Sequence, residues 1–273
     1  VSRLSSARFG SLLFVVALAG VVTLAAFVDP VMIAAVVVLV QALVSLAPTL
    51  VAADGRVINS PRVVAGLAAG LVATVIVLAP HVIAGADGTS AAVIGASDSG
   101  ALAGLVLGVA AGIFVAVGAQ MVRRDGRADL VQSVSYAVMI ATISTFAAGW
   151  VGAGQSLGEA DVVAVSAAGA AAGVLAWSLP IAARLRAGLV LLAGAGAGAV
   201  LATLADSAMT GFFGVVAGGL CAVFAVVGLE SGRTLIKGAA HPAVTGGFPG
   251  ASAIAFAGPM AYIAGQLITV PTL

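Results

Sequence analysis

Apolar residues in this chain come in long, almost unbroken runs, without the alternation of apolar and polar positions that marks half-buried soluble elements. Nine such runs cover residues 10–28, 31–53, 63–85, 100–122, 131–154, 161–180, 187–205, 210–229 and 250–270. Each holds roughly 19–24 residues, enough for a helix to cross a hydrocarbon core about 30 Å thick. The pattern predicts an all-α, polytopic bundle of nine transmembrane helices forming a single domain over residues 1–273. The first run lacks a small-residue cleavage site before Asp29, so it reads as a true span and not as a signal peptide.

The polar residues between the runs orient the bundle. With the N-terminus on the cytoplasmic side, all eleven basic residues fall in inward loops: Arg3, Arg8, Arg56, Arg62, Arg123, Arg124, Arg127, Arg184, Arg186, Arg233 and Lys237. Six of the ten carboxylates (Asp29, Asp87, Asp98, Glu159, Asp161 and Asp206) fall outside. A basic bias in short loops directs helix insertion, and here it predicts N-terminus in and C-terminus out. The inward cations Arg123, Arg124, Arg127, Arg184, Arg186, Arg233 and Lys237 are the residues expected to meet anionic lipid headgroups.

Local signals mark the ends of the runs. Asp29-Pro30 is a tight turn, Asp161 an expected N-cap, and Ser156 with Glu159 has the spacing of a capping box. Trp150 and Trp177 fall near run ends, as interfacial aromatic residues do. Pro48 and Pro259 are expected to kink their helices. Only 86–99 outside and 230–249 inside are long enough to hold loop structure.

Small residues recur at four-residue spacing: Gly104, Gly108, Gly112 and Ala116 in the fourth run, Gly214 and Gly218 in the eighth. Such stripes let helix backbones approach closely in lipid, either within the bundle or against a partner subunit. Asp54-Gly55-Arg56 and Asp125-Gly126-Arg127 echo one another, which a duplicated hairpin or two independent polar turns would equally produce.

Composition agrees with the pattern. The chain is 62% hydrophobic and 8% charged, against about 25% charged in soluble domains. The richness in Ala, Val and Gly suits a high-GC bacterial genome, so the membrane expected for the bundle is a bacterial inner membrane. Cys221 is the only cysteine, so no intramolecular disulfide can form.

Candidate chemistry is sparse. Apart from His81 near one run's end, no Asp, Glu, Lys, Arg or His lies deep within a run, which argues against a carboxylate proton relay. Gln41, Gln120, Tyr136 and Gln266 stand out as neutral polar residues in apolar surroundings, and are candidates for lining a ligand path. Ser45, Ser133, Ser135, Thr142, Ser144, Thr145 and Thr269 join them as weaker candidates. His81, His241 and Cys221 have no metal-ligand spacing, and no cofactor or nucleic-acid motif is present. Nine spans with an inside N-terminus resemble the layout of intramembrane prenyltransferases. Those enzymes carry paired Asp-rich motifs for a metal diphosphate, whereas here only Asp125 and Asp129 are paired.

Three functions follow as expectations. The first is a non-catalytic accessory or scaffolding subunit of a larger cell-envelope complex, such as a lipid or glycolipid exporter. The second is a small carrier or lipid flippase with a neutral polar path. The third is a lipid-phosphate enzyme at the cytoplasmic face, built on Asp125, Asp129 and nearby arginines.

Overall fold

The computed structural model describes residues 2–51, 57–79, 100–123, 129–156, 159–205, 210–236 and 242–268. Their helices are α1 (Ser2–Ala26), α2 (Pro30–Ser45), α3 (Arg62–Leu78), α4 (Gly100–Val122) and α5 (Leu130–Phe146). These are followed by the short α6 (Gly149–Gly154), then α7 (Glu159–Trp177), α8 (Ala183–Leu204), α9 (Gly211–Leu235) and α10 (Pro242–Ile268). A small antiparallel hairpin interrupts them: β1 (Leu50–Val51) pairs with β2 (Val57–Ile58), Leu50 opposite Ile58.

Six segments are long and apolar enough to cross a membrane: Phe9–Ala26, Ala103–Val122, Leu130–Gly154, Glu159–Trp177, Ala183–Leu204 and Gly211–Leu235. Side chains such as Leu24, Phe114, Leu192 and Phe212 are more than two-thirds exposed. Water would make so large an apolar surface unstable, whereas lipid is its natural solvent.

Local chemistry explains the helix ends. Asp29 Oδ1 accepts from the Val31 N–H at 2.6 Å and Pro30 opens α2, a position where its missing N–H costs nothing. Thr210 caps α9 by accepting from Phe213 N–H at 3.4 Å. The expected kink at Pro48 does not occur, because α2 stops at Ser45 before reaching it. Proline disfavours helical geometry in the residue before it, and the apolar continuation Leu50–Val51 forms the hairpin instead. At 16 and 17 residues, α2 and α3 are about 24–26 Å long.

The fifth run is one membrane-length segment as expected, Leu130–Gly154, although α5 and α6 within it are joined by two turn residues, Ala147 and Ala148, in right-handed helical geometry. Other sequence expectations are corrected. The stretch 230–249 is mostly helix, since α9 continues to Leu235 and α10 starts at Pro242 with Pro249 and Pro259 both inside it. Ser156 and Glu159 form no capping box: the Ser156 hydroxyl bonds back to the Ala153 carbonyl at 2.7 Å. Asp161 lies in the first turn of α7, two residues beyond its start. Trp150 belongs to the core and not to an interfacial belt. It is completely buried, and its indole N–H donates to the Ile254 carbonyl at 2.8 Å.

α10 is the central post, packed against α1, α2, α5, α6, α7 and α9. On one side of it α3 lies against α2, α4 and α5; on the other, α7, α8 and α9 pack on one another. The close approaches rely on missing side chains. A Cβ at Gly108 would lie 2.7 Å from the Ala69 carbonyl oxygen, and one at Gly112 would lie 2.6 Å from Ala141 Cβ. Gly104 faces Val77 and the Ala73 carbonyl of α3 in the same way, while Ala116 is fully buried. Gly214 and Gly218 interlock with Gly194 and Gly198 of α8. Both stripes are thus filled from within the chain.

Candidate polar core between α2, α3 and α5

Three helices each turn one polar or small stripe towards a common line. On α5 the stripe is Ser133, Tyr136 and Ser144, interrupted by the buried Ile140; on α2 it is Gln41 and Ser45; on α3 it is Gly66, Gly70 and Thr74. Spacings of three and four residues place each set on one helix face. The glycines let polar side chains reach the α3 backbone. A Cβ at Gly70 would lie 2.6 Å from Ser144 Oγ and 2.7 Å from Gln41 Cδ, and one at Gly66 would lie 2.5 Å from Ser45 Oγ.

Gln41 is completely buried. Its amide nitrogen donates to the Gly70 carbonyl at 3.0 Å and to Thr74 Oγ1 at 2.7 Å. Those two acceptors settle which end of the amide is nitrogen, because the reverse orientation would set oxygen against the Gly70 carbonyl. Gln41 Oε1 then has no hydrogen-bond partner, nor do the equally buried Ser45 Oγ and Ser144 Oγ. A buried polar atom without a partner costs about 1–3 kcal/mol, so three on the facing stripes of α2 and α5 call for an explanation.

Towards the end of the bundle that carries Arg123, the hairpin closes over this core. The Tyr136 hydroxyl donates to the Pro48 carbonyl at 2.7 Å, and Arg62 Nε donates to the Ala47 carbonyl at 2.7 Å. Arg123 Nη1 reaches the Asn59 carbonyl at 2.8 Å, Gln120 Oε1 at 2.7 Å and Ser133 Oγ at 3.2 Å. Gln120 Nε2 donates to Ser133 Oγ at 2.6 Å, Ser133 Oγ donates to Asn59 O at 2.8 Å, and Ser60 Oγ donates to Ser133 O at 2.9 Å. Ala47, Pro48, Ile58 and Ser60 are buried as a result.

Gln41, Gln120 and Tyr136 therefore belong to one polar column, which runs about 16 Å along α5 from Ser133 to Ser144. Gln266 does not. It lies near the end of α10, next to Gly265, which packs on Ser156 at the far end of the α5–α6 rod from Ser133. Thr74 and Ser60 are members that composition did not single out. Thr74 had a signal in its spacing, since it continues the Gly66–Gly70 stripe by one more turn, whereas Ser60, between β2 and α3, had none.

The inward cations are differently placed. Arg123 is part of the column. Arg186 stacks over Trp177 at 4.8 Å, and Trp177 Nε1 donates to Glu230 Oε1 at 2.8 Å. Arg233 pairs with Glu230 at 2.6 Å and reaches Ser11 Oγ at 3.4 Å, tying α9 to α1. Arg184 is exposed. Arg124, Arg127, Lys237, Asp125, His81, His241 and both Asp-Gly-Arg triplets lie outside the described residues. Asp129 precedes α5 in left-handed geometry. Cys221 is buried in α9, its thiol 3.8 Å from the Ala257 carbonyl. Among the described residues no group of three or more His, Cys, Asp or Glu comes together to hold a metal.

The fold defines the class: an all-helical bundle whose long apolar helices mark a membrane protein. No protein-family model, curated protein or solved structure matches the chain.

Proposed function

We propose that this protein is a small carrier of the bacterial inner membrane, moving a small neutral or zwitterionic solute along the column between α2, α3 and α5. Nine crossings with the N-terminus inside complete the proposed topology, α2, α3 and α10 joining the six longer spans. The observation that carries the proposal is the set of unpartnered buried oxygens at Gln41, Ser45 and Ser144. A static scaffold gains nothing from leaving acceptors bare in a dry interior, whereas a transport path must offer polar atoms that are not already committed. The hairpin supports the same view, since it closes one end of the column through hydrogen bonds that can be exchanged for water. The enclosed position, away from the lipid-facing surface, favours a compact solute over a whole lipid.

The test is counterflow in proteoliposomes with a panel of radiolabelled polyols and zwitterionic amino acids. Gln41→Leu, Gln120→Leu and Tyr136→Phe should each lower flux about tenfold or more, because each removes a polar partner from a buried site. Their folded yields should match the parent protein. Undiminished flux in all three would end the proposal.

A second reading, the accessory subunit of a larger envelope complex, keeps one specific support. Gly188 and Gly196 on α8 have open space where a side chain would be, on a helix only 22% buried along its length. Small residues turned to lipid suit a partner helix. Gentle extraction followed by mass spectrometry would favour this reading if a larger membrane protein came away in equal amount, and would leave the carrier if the chain came alone.

A further inference from the structure

We propose that the corner between the end of α7 and the start of α8 is a docking surface for an anionic phospholipid, whose phosphate seats on Arg186 beside Trp177 with Arg184 across the helix end. The surface is independent of the carrier reading. Elsewhere in the bundle the described arginines are spent inside the protein: Arg62 on Ala47 O, Arg123 on Asn59 O, Gln120 and Ser133, and Arg233 on Glu230. Arg184 and Arg186 have no ion-pair or side-chain hydrogen-bond partner among the described residues. Their charge is not compensated locally. α8 contains no carboxylate and no side chain caps its first turn, where both arginines lie. The carboxylates of α7, Glu159 and Asp161, stand in its first turn, at the opposite end from Trp177. Glu230, the one acidic residue near the corner, is paired with Arg233. Cations at the positive end of a helix dipole are unfavourable on their own, and an anion between them reverses the sign of that interaction.

The main ligand is already oriented. The Arg186 guanidinium lies over the Trp177 ring, 4.8 Å from its centroid, and Trp177 is fixed by its N–H bond to Glu230 at 2.8 Å. Arg186 Nε is buried without a partner, which leaves the two Nη amines as its accessible donors. A guanidinium edge takes a phosphate through paired N–H···O bonds. Arg184, two residues earlier, leaves α8 on the other side. Side chains lean towards a helix's N-terminus, so the two arginines flank the uncapped turn. The surroundings decide where the phosphate comes from. Leu179, Ile181 and Leu185 are exposed around the basic pair. Apolar side chains beside arginine and tryptophan are the composition of a membrane interface. An acyl chain covers those side chains while its headgroup meets the arginines; a free phosphate would leave them bare.

The test uses the full chain in phosphatidylcholine vesicles, titrated with phosphatidylglycerol brominated on the acyl carbons nearest the headgroup. The readout is quenching of tryptophan fluorescence. Trp177 lies at the corner, and the other tryptophan, Trp150, is completely buried. Brominated phosphatidylcholine at equal mole fraction sets the background. Phosphatidylglycerol should reach half-quenching at a mole fraction about fivefold to thirtyfold lower. Arg186→Gln should bring the two curves within about twofold of each other. Arg184→Gln should close part of the gap, and Arg186→Lys, which keeps the charge but loses the paired donors, should fall between parent and Arg186→Gln. Quenching is normalised to each variant's own unquenched emission, and coincident size-exclusion profiles show that each is folded. Coincident curves for the two lipids in the parent would overturn the surface, as would an undiminished preference in both glutamine variants. Inorganic phosphate at constant ionic strength should leave the preference intact; if it abolishes the preference, the ligand is a soluble phosphate and the lipid proposal falls.

Discussion

Leucine in place of Gly198 should prevent the chain from folding, while leucine in place of Gly196, two residues away on α8, should have almost no effect. A Cβ at Gly198 would collide with the Gly214 carbonyl and lie 3.0 Å from Gly218 Cα, all atoms of the α9 backbone. Backbone cannot rotate out of the way as a side-chain tip can. The collision is mutual, because a Cβ at Gly214 would meet the Gly198 carbonyl and Ala202. In lipid the α8–α9 pair has no hydrophobic drive to recover the loss, since its association rests on dispersion contacts and weak Cα–H···O bonds at short range. Overpacking a core commonly costs about 1–3 kcal/mol, and a clash with backbone over several atoms should exceed that. Gly196 has nothing within 4 Å of its would-be Cβ, so leucine there simply faces lipid. The measurement is the monodisperse yield and thermal midpoint of each variant by fluorescence-detected size exclusion. Similar profiles for the two would show that the α8–α9 seam is not the tight contact it is drawn to be.

The same contact illustrates what could be read from sequence. Stripes such as Gly214–Gly218 predict close helix packing because absent side chains have a single use in lipid. They do not say which helix fills the gap: Gly104, Gly108 and Gly112 serve α3 and α5, whereas Gly214 and Gly218 serve α8. Apolarity located the long helices but hid their ends. Residues 46–51 are as apolar as the helix before them, so the run concealed a helix stop, a buried proline and a hairpin. The reverse occurred in 230–249, where Gly and Pro suggested a loop. Gly232 instead lets the α10 backbone approach at Pro249, and a membrane helix tolerates proline when its neighbours re-satisfy the freed carbonyl. Trp150 misled for another reason. Tryptophan is amphipathic, and its N–H can be met by an interface or by a buried carbonyl such as that of Ile254.

The polar column was legible in its members but not in its assembly. Gln41, Ser45, Gln120, Ser133, Tyr136 and Ser144 are conspicuous because polar groups in an apolar run need a reason to be there. Their meeting depends on contacts between residues up to about a hundred positions apart, which spacing within one run cannot encode. Arginine roles were equally hidden. Arg123 is expected from sequence to meet lipid headgroups, yet it binds the Asn59 carbonyl, and Arg62, legible only as an inward cation, binds that of Ala47. Those carbonyls exist as targets only because α2 stops early and leaves its continuation without helical partners.

That arrangement leads to the second large effect. Releasing the hairpin should open the column to the inner side, and Ser45→Cys in a Cys221→Ala background should report it. Ser45 is fully buried, as are Ala47 and Pro48 that follow it, so an impermeant maleimide added to inside-out vesicles should react slowly. Arg123→Ala removes charge-assisted bonds to Asn59 O, Gln120 Oε1 and Ser133 Oγ. Hydrogen bonds to charged groups are worth about 1.5–3 kcal/mol each, so even one net loss should raise the open fraction, and with it the labelling rate, about tenfold to a hundredfold. Tyr136→Phe, which frees the Pro48 carbonyl through a neutral bond, should act in the same direction with an effect of about two- to tenfold. Arg184→Ala, an exposed cation on α8, should leave the rate unchanged and controls for loss of surface charge. Equal labelling across all four proteins would mean that the hairpin does not govern access, and the polar core would then need a different entrance. A graded order, Arg123→Ala above Tyr136→Phe above Arg184→Ala, would identify the hairpin as a gate whose closure is set by the strength of its hydrogen bonds.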